Sequence, residues 1–97
     1  LTEEQDGRSP ETYQLRLFIA GITTRSSRAV TNVKQVCEEH LPGRYQLLVI
    51  DLYQQPHLAR EAQIVAVPTL VRDAPPPVRR IVGDMSDKER LLAGLDL

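Results

Sequence analysis

Residues 64–72 read Ile64-Val65-Ala66-Val67-Pro68-Thr69-Leu70-Val71-Arg72, a run dominated by apolar and β-branched side chains. Such a run predicts a β-strand. Pro68 near its start is unusual, because proline has no N–H to donate to a neighbouring strand. A buried strand therefore tolerates proline only at its first residue, at a sheet edge or at a bulge. We predict a strand here, with Pro68 at one of these positions.

The composition predicts a single folded domain, since 97 residues with 41% hydrophobic content suffice for one core. Twelve Lys and Arg oppose thirteen Asp and Glu, and the formal charge of −1 disfavours a nucleic-acid partner. No apolar run approaches the roughly 20 residues of a membrane span, and the N-terminus lacks the pattern of a signal peptide. We therefore expect a cytoplasmic protein without nucleic-acid or membrane partners.

The first half of the chain predicts a βαβ unit. Residues 1–12 are polar apart from one leucine, and we expect them to form a flexible tail before a domain at 13–97. Buried strands are predicted at Tyr13–Ala20 and Tyr45–Leu52. The helix between them should run from about Ser27 to His40, with Ser26 or Ser27 as its N-cap. A helical crossover makes the two strands parallel.

The second half predicts a short helix, two antiparallel strands and a final helix. The short helix should run from about Pro56 to Gln63, with the proline in its first turn. Asp73–Pro77 should lack regular structure, because consecutive prolines cannot pair as a strand. Val78–Val82 then forms a strand, and Ser86 begins the last helix through a capping box with the glutamate three residues on. The whole order is βαβ-α-ββα in an α/β domain.

This order is that of a thioredoxin-like domain, and Val67-Pro68-Thr69-Leu70-Val71 resembles the Pro-Thr-Leu strand of such domains. The resemblance implies that the Val67–Pro68 peptide bond is cis. An ordinary trans proline that opens an edge strand fits the same residues equally well.

The sequence lacks the motifs of thiol-redox enzymes, nucleotide-binding sites and metal sites. A thioredoxin-like enzyme needs a thiolate at the start of the first helix, where the helix dipole lowers its pKa. Thr23-Thr24-Arg25-Ser26 stand there instead, and the only cysteine, Cys37, lies on the predicted buried stripe. One cysteine excludes an internal disulfide and a cysteine-based zinc site, and the scattered glycines form no phosphate loop. We predict no catalytic residue, no metal site and no cofactor.

A longer motif resembles the KaiB family, whose members are the small partners of the KaiC ATPase in the cyanobacterial circadian clock. It reads Pro75-Pro76-Pro77-Val78-Arg79-Arg80-Ile81-Val82-Gly83-Asp84. The similarity runs from about Tyr13 to Leu97. It implies a non-catalytic regulator that binds the N-terminal ATPase ring of KaiC and competes there with a kinase whose sensor domain has a similar fold. Two alternatives are a thioredoxin-like sensor domain cut from a histidine kinase and a thiol-redox enzyme.

The resemblance also implies a metamorphic protein, whose second half either is thioredoxin-like or rearranges into a form that assembles as a dimer or tetramer. Glycine disfavours helix and aspartate opposes the dipole at a helix C-terminus. Gly94→Ala with Asp96→Arg is therefore predicted to favour the thioredoxin-like state. The predicted switch residues are Pro68, Pro75, Pro76, Pro77, Gly94 and Asp96.

For the surface that contacts the KaiC-type ATPase, the resemblance points to the Pro56 helix and residues near it. Gln46 and Leu48 replace the small and basic residues that clock proteins use toward KaiA, which argues against a KaiA partner. The predicted partner-binding residues are Arg28, Asp51, Leu58, Ala59 and Gln63.

Overall fold

The structure is a computed structural model that describes residues 12–97. The predicted tail, residues 1–12, lies outside this range except for Thr12. The order of elements is the predicted βαβ-α-ββα. The elements are β1 (Tyr13–Ile19), α1 (Thr24–His40), β2 (Tyr45–Asp51), α2 (His57–Glu61), β3 (Thr69–Ala74), β4 (Arg79–Val82) and α3 (Lys88–Leu95).

The four strands form one sheet in the order β2-β1-β3-β4. β1 and β2 are parallel, as a helical crossover requires, and β3 pairs antiparallel with both β1 and β4. Helices α1 and α3 cover one face of this sheet over the larger core, whereas α2 covers part of the other face. The smaller core under α2 contains Phe18, Ile50, Ala62 and Val71.

The apolar spacing of α1 predicts a stripe that packs in the larger core, and in the structure all of it is buried except Val30, which is half-buried. The predicted residues are Ala29, Val30, Val33, Val36, Cys37 and Leu41. The helix itself begins earlier than predicted. Thr23 is its N-cap, and Ser26 takes the third helical position of a capping box instead of the cap. The Thr23 hydroxyl accepts from the N–H of Ser26 at 3.0 Å, and the Ser26 hydroxyl accepts from the N–H of Thr23 at 2.8 Å.

The cap of α3 also differs from the prediction. Asp87 is the N-cap, and its carboxylate accepts from the N–H of Arg90 at 3.1 Å. Ser86 instead donates its N–H to the carboxylate of Asp84 at 3.0 Å, so it belongs to the preceding turn. Within residues 12–97, none of the helices is long and apolar enough to cross a membrane.

The strand β3 is shorter at its start than predicted, because residues 64–68 form the loop that leads into it. Pro68 stands directly before β3, where its missing N–H removes no ladder bond. The Val67–Pro68 peptide bond is cis, as are Ala74–Pro75 and Pro76–Pro77. At its other end β3 continues through Ala74, contrary to the prediction, because Ala74 still pairs with Gln14 of β1.

The prediction of a second buried strand was wrong for β2. This strand lies at the edge of the sheet and pairs with β1. Its Leu48 side chain is 58% exposed and Val49 is 38% exposed, while Ile50 is buried. A continuous apolar run cannot distinguish an edge strand from a central one, because both positions accept apolar side chains.

Candidate partner-binding site

The loops that follow β1 and β2 are joined by Asp51. Its carboxylate oxygen Oδ1 accepts the backbone N–H of Gly21 at 2.9 Å and that of Tyr53 at 2.9 Å. The carboxyl ends of parallel strands meet at one edge of a sheet, which brings these loops together. Asp51, predicted as a partner contact, therefore fixes the two loops to each other.

Gly21 and Tyr53 are in close contact at this end of the sheet. Gly21 has φ +75°, and a Cβ built on it would lie 3.0 Å from Cδ2 and Cε2 of the Tyr53 ring. The ring nevertheless remains 77% exposed. One side of the Tyr53 ring thus lies next to the Gly21 backbone, and most of the residue is open to solvent.

A groove of about 250 Å³ lies beside Tyr53 and is the feature we call the end groove. Two apolar side chains on adjoining segments are also exposed, Ile22 by 85% and Val65 by 97%. The sequence prediction missed these residues, although an aromatic residue in a polar loop directly after a strand is a usable signal. The end groove is lined by Ala20, Thr23, Arg25, Ser26, Tyr53, Val67 and Pro68.

The helix α2 ends in a Schellman motif. The N–H of Gln63 donates to Arg60 O at 3.1 Å, and the N–H of Ile64 donates to Ala59 O at 2.8 Å. Gln63 has φ 56°, the left-handed conformation that glycine usually supplies at this position. Three predicted partner residues lie here: Leu58 packs against the smaller core, Ala59 is half-buried and Gln63 is exposed.

Arg28 lies on α1, which covers the opposite face of the sheet from α2. It is exposed, and its positive charge and that of Arg25 help to lower the pKa of Asp84, after hydrogen bonds from Ser86. The structure therefore brings Leu58, Ala59 and Gln63 together on and just after α2. Asp51 lies at the end of β2, where it joins two loops, and Arg28 lies on α1, outside both.

The predicted switch residues near the C-terminus contact the sheet. A Cβ on Gly94 would clash with the side chain of Ile81. Asp96, the C-cap of α3 with φ 60°, accepts from Arg72 Nη1 at 2.7 Å, and this hydrogen bond lowers the pKa of the carboxyl. Arg72 is 1% exposed and also donates to the carbonyl of Pro77 at 2.9 Å. These bonds connect the proline segment, β3 and the end of α3.

Cys37 lies far from the first turn of α1 and is fully buried. Burial, helped by the negative charge of Glu38, raises the pKa of its thiol to about 11. The thiolate that redox exchange requires is therefore scarce at neutral pH.

The family model of the KaiB domain matches residues 16–97. The chain belongs to the KaiB family. Among curated KaiB relatives, the circadian clock oscillator protein KaiB of Prochlorococcus marinus subsp. pastoris is 52% identical over 87 residues, 90% of this chain and 81% of that protein. The protein of the same name from Nostoc punctiforme is 49% identical over 90 residues, 93% of this chain and 86% of that one.

Solved structures confirm that this KaiB family member has the thioredoxin-like fold predicted from its element order. The N-terminal domain of Synechococcus elongatus SasA matches with a TM-score of 0.71 and 25% identity, over 98% of this chain and 93% of that one. Mitochondrial thioredoxin 3 from Saccharomyces cerevisiae matches with a TM-score of 0.70 and 16% identity, over 90% of this chain and 80% of that one.

Proposed function

We propose that this protein is a non-catalytic regulator that binds the N-terminal ATPase ring of a KaiC-type ATPase and modulates its phosphorylation or signalling. The observation that carries the proposal is the KaiB domain match across residues 16–97, with relatives that are named clock oscillator proteins. The KaiC-type partner follows from the family, in which KaiB is the small partner of KaiC. We do not propose KaiA as a partner, because Gln46 and the exposed Leu48 replace the small and basic residues with which clock proteins contact KaiA.

The proposal of a non-catalytic role is supported by the first turn of α1. A thioredoxin-like enzyme places its reactive thiolate there, whereas this chain has Thr24, Arg25 and Ser26. The thiol of Cys37 is buried, and its raised pKa opposes ionisation. Binding therefore accounts for the exposed groups at this end of the molecule better than redox exchange does.

The proposed contact surface is the α2 surface, defined by Leu58, Ala59 and Gln63, extended by the end groove with Tyr53. Interface cores are enriched in tyrosine and other aromatic residues, which supply large contact area with few rotatable bonds. Tyr53 is 77% exposed and its ring lies next to the Gly21 backbone, so a partner that covers it would bury a large aromatic surface.

Size-exclusion chromatography with light scattering tests this role, using the KaiC-type ATPase of the same genome with ADP. We expect co-elution as a larger complex. Ala59→Glu should abolish it, because a carboxylate would be desolvated in the contact surface. Ala93→Glu, on the exposed side of α3, is the control and should bind like the unchanged protein. Because Ala59 is half-buried, the melting temperatures of both variants are compared to show that Ala59→Glu remains folded. Failure of the unchanged protein to co-elute after hours of incubation would overturn the proposed function.

We also propose that the second half of the chain exchanges between this fold and a rearranged form that assembles as a dimer or tetramer. Gly94→Ala with Asp96→Arg is expected to favour the thioredoxin-like state, which NMR would read as a change in peak intensities. The two substitutions raise helix propensity but also have a cost in the thioredoxin-like state. A Cβ at position 94 would meet Ile81, and Asp96→Arg removes the carboxylate that pairs with Arg72. A shift of populations in the opposite direction would show that these contacts are the larger effect.

A second candidate is a thioredoxin-like sensor domain cut from a histidine kinase. The match to the N-terminal domain of SasA favours it, because this fold also occurs there as one part of a protein. The curated KaiB relatives are twice as similar in sequence and are covered over four-fifths of their length, which favours the first candidate. The length of the full open reading frame decides between the two.

A further inference from the structure

The two adjacent arginines of β4 lie on opposite faces of the sheet. Arg80 is opposite Val71 of β3, whose side chain belongs to the smaller core under α2. Arg79 is opposite Arg72, on the face that α1 and α3 cover. Successive side chains of a strand point to opposite faces, so the two residues have different neighbours.

The guanidinium of Arg80 binds the C-terminal end of α2. Its Nη1 donates to the carbonyl of Ala62 at 2.8 Å and to that of Gln63 at 3.2 Å. Ala62 is the C-cap of α2, and Gln63 is the next residue. The last carbonyls of a helix lack intrahelical partners and carry the negative end of the helix dipole. A positive group that donates to both carbonyls therefore stabilises this helix end.

The helix α2 needs such support from a neighbour. It has only five residues, none of them buried, and no side chain caps its N-terminus. Gln63, just beyond it, has φ 56°, a conformation that costs about 1 to 2 kcal/mol for a residue with a Cβ. Isolated helices of this length are unstable in water. The contact from Arg80 is thus one of few that hold the end of α2 in place.

We propose that Arg80 is a positioning residue for partner binding: it fixes the C-terminal end of α2, and with it the exposed side chain of Gln63, on the contact surface. Arg79 has no part in this. The identity of the partner rests on the proposed function, whereas the contact between Arg80 and α2 does not.

Amide hydrogen exchange of the free protein tests the contact, with Arg80→Gln compared with Arg79→Gln. We expect Arg80→Gln to speed exchange of the amides at 62–64 by about tenfold, as loss of a charge-assisted hydrogen bond predicts, and to leave the other strands unchanged. Arg79→Gln should change neither. Arg80→Lys keeps a cation near both carbonyls and should restore most of the protection. Equal exchange in the two glutamine variants would overturn the inference.

A second comparison separates positioning from a general loss of stability. Adding Gln63→Gly to Arg80→Gln removes the cost of the left-handed conformation and should restore protection at 62–64. Binding of the KaiC-type ATPase should be about tenfold weaker for Arg80→Gln, and changed by less than about twofold for Arg79→Gln, at similar melting temperatures. If Arg80→Gln loosens α2 but binds with unchanged affinity, the positioning role is wrong. If the unchanged protein does not bind, the proposed function fails, and exchange at 62–64 still decides whether Arg80 holds α2.

Discussion

The carboxylate of Asp51 accepts the backbone N–H of Gly21 at 2.9 Å, so the end of β2 holds the turn that follows β1. The same oxygen accepts the N–H of Tyr53, which orders the loop between β2 and α2. One side chain therefore positions both loops next to the end groove. A polar residue at the end of a strand can act in this way without contacting any partner itself.

Asp51→Ala is expected to lower the free energy of unfolding by about 1 to 2 kcal/mol, because it leaves two N–H groups without their acceptor. Asp51→Asn keeps an acceptor oxygen and should cost less. Urea unfolding measures both effects. Glu39→Ala is the control, since Glu39 forms a single ion pair with Lys88 at the exposed surface, where ion pairs contribute about 0 to 1 kcal/mol. Equal losses for Asp51→Ala and Glu39→Ala would contradict the prediction.

Gly21→Ala should destabilise the protein more than Gly43→Ala. Both glycines have left-handed φ, +75° and +71°, so each substitution carries a conformational cost of about 1 to 2 kcal/mol. Gly43 has open space around its Cα, whereas a Cβ on Gly21 would meet the Tyr53 ring at 3.0 Å. Thermal unfolding should therefore show the larger loss for Gly21→Ala, and Tyr53→Ala should relieve part of it. The same loss at both glycines would exclude a steric role for Tyr53.

Gln63→Gly is expected to stabilise the protein by about 1 kcal/mol, because glycine adopts the observed φ of 56° without a Cβ penalty. Gln54→Gly is the matched control, since Gln54 is also exposed but is not among the residues with positive φ. It should be neutral or destabilising. The midpoints of urea unfolding measure the stability of the two variants. A loss of stability in Gln63→Gly would show that the glutamine side chain makes a compensating contact.

Cys37 should react slowly with thiol reagents in the folded protein. Its pKa is raised from 9.0 to about 11, so the unfolded chain ionises at lower pH than the folded one. The stabilisation from burying the neutral thiol is present below pH 9.0 and is lost as the pH rises toward about 11. Reaction with dithionitrobenzoate, with and without urea, measures the first effect. Cys37→Ala should remove this part of the alkaline loss of stability, and rapid labelling of the folded protein would refute the assignment.

Local patterns were sufficient for the order of the elements and for the larger core. The spacing of Ala29, Val33, Val36 and Cys37 predicted the buried side of α1, because a helical period places such residues on one face. Pro68 similarly marked the start of β3, because proline has no N–H to donate to a neighbouring strand. These effects act within a few residues, so they can be recognised along the chain.

The hydrogen-bond partners of individual side chains lie far away in the sequence. Arg72 looked like the polar end of an apolar run, yet it is buried against Asp96, 24 residues later. Arg80 likewise reaches α2, 18 residues before it, while the identical residue next to it lies on the other face. Strand order determines which strand lies at the edge of the sheet. It also determines which arginine lies next to the end of a given helix. Because strand order arises only when the whole sheet assembles, no local period could have shown these contacts.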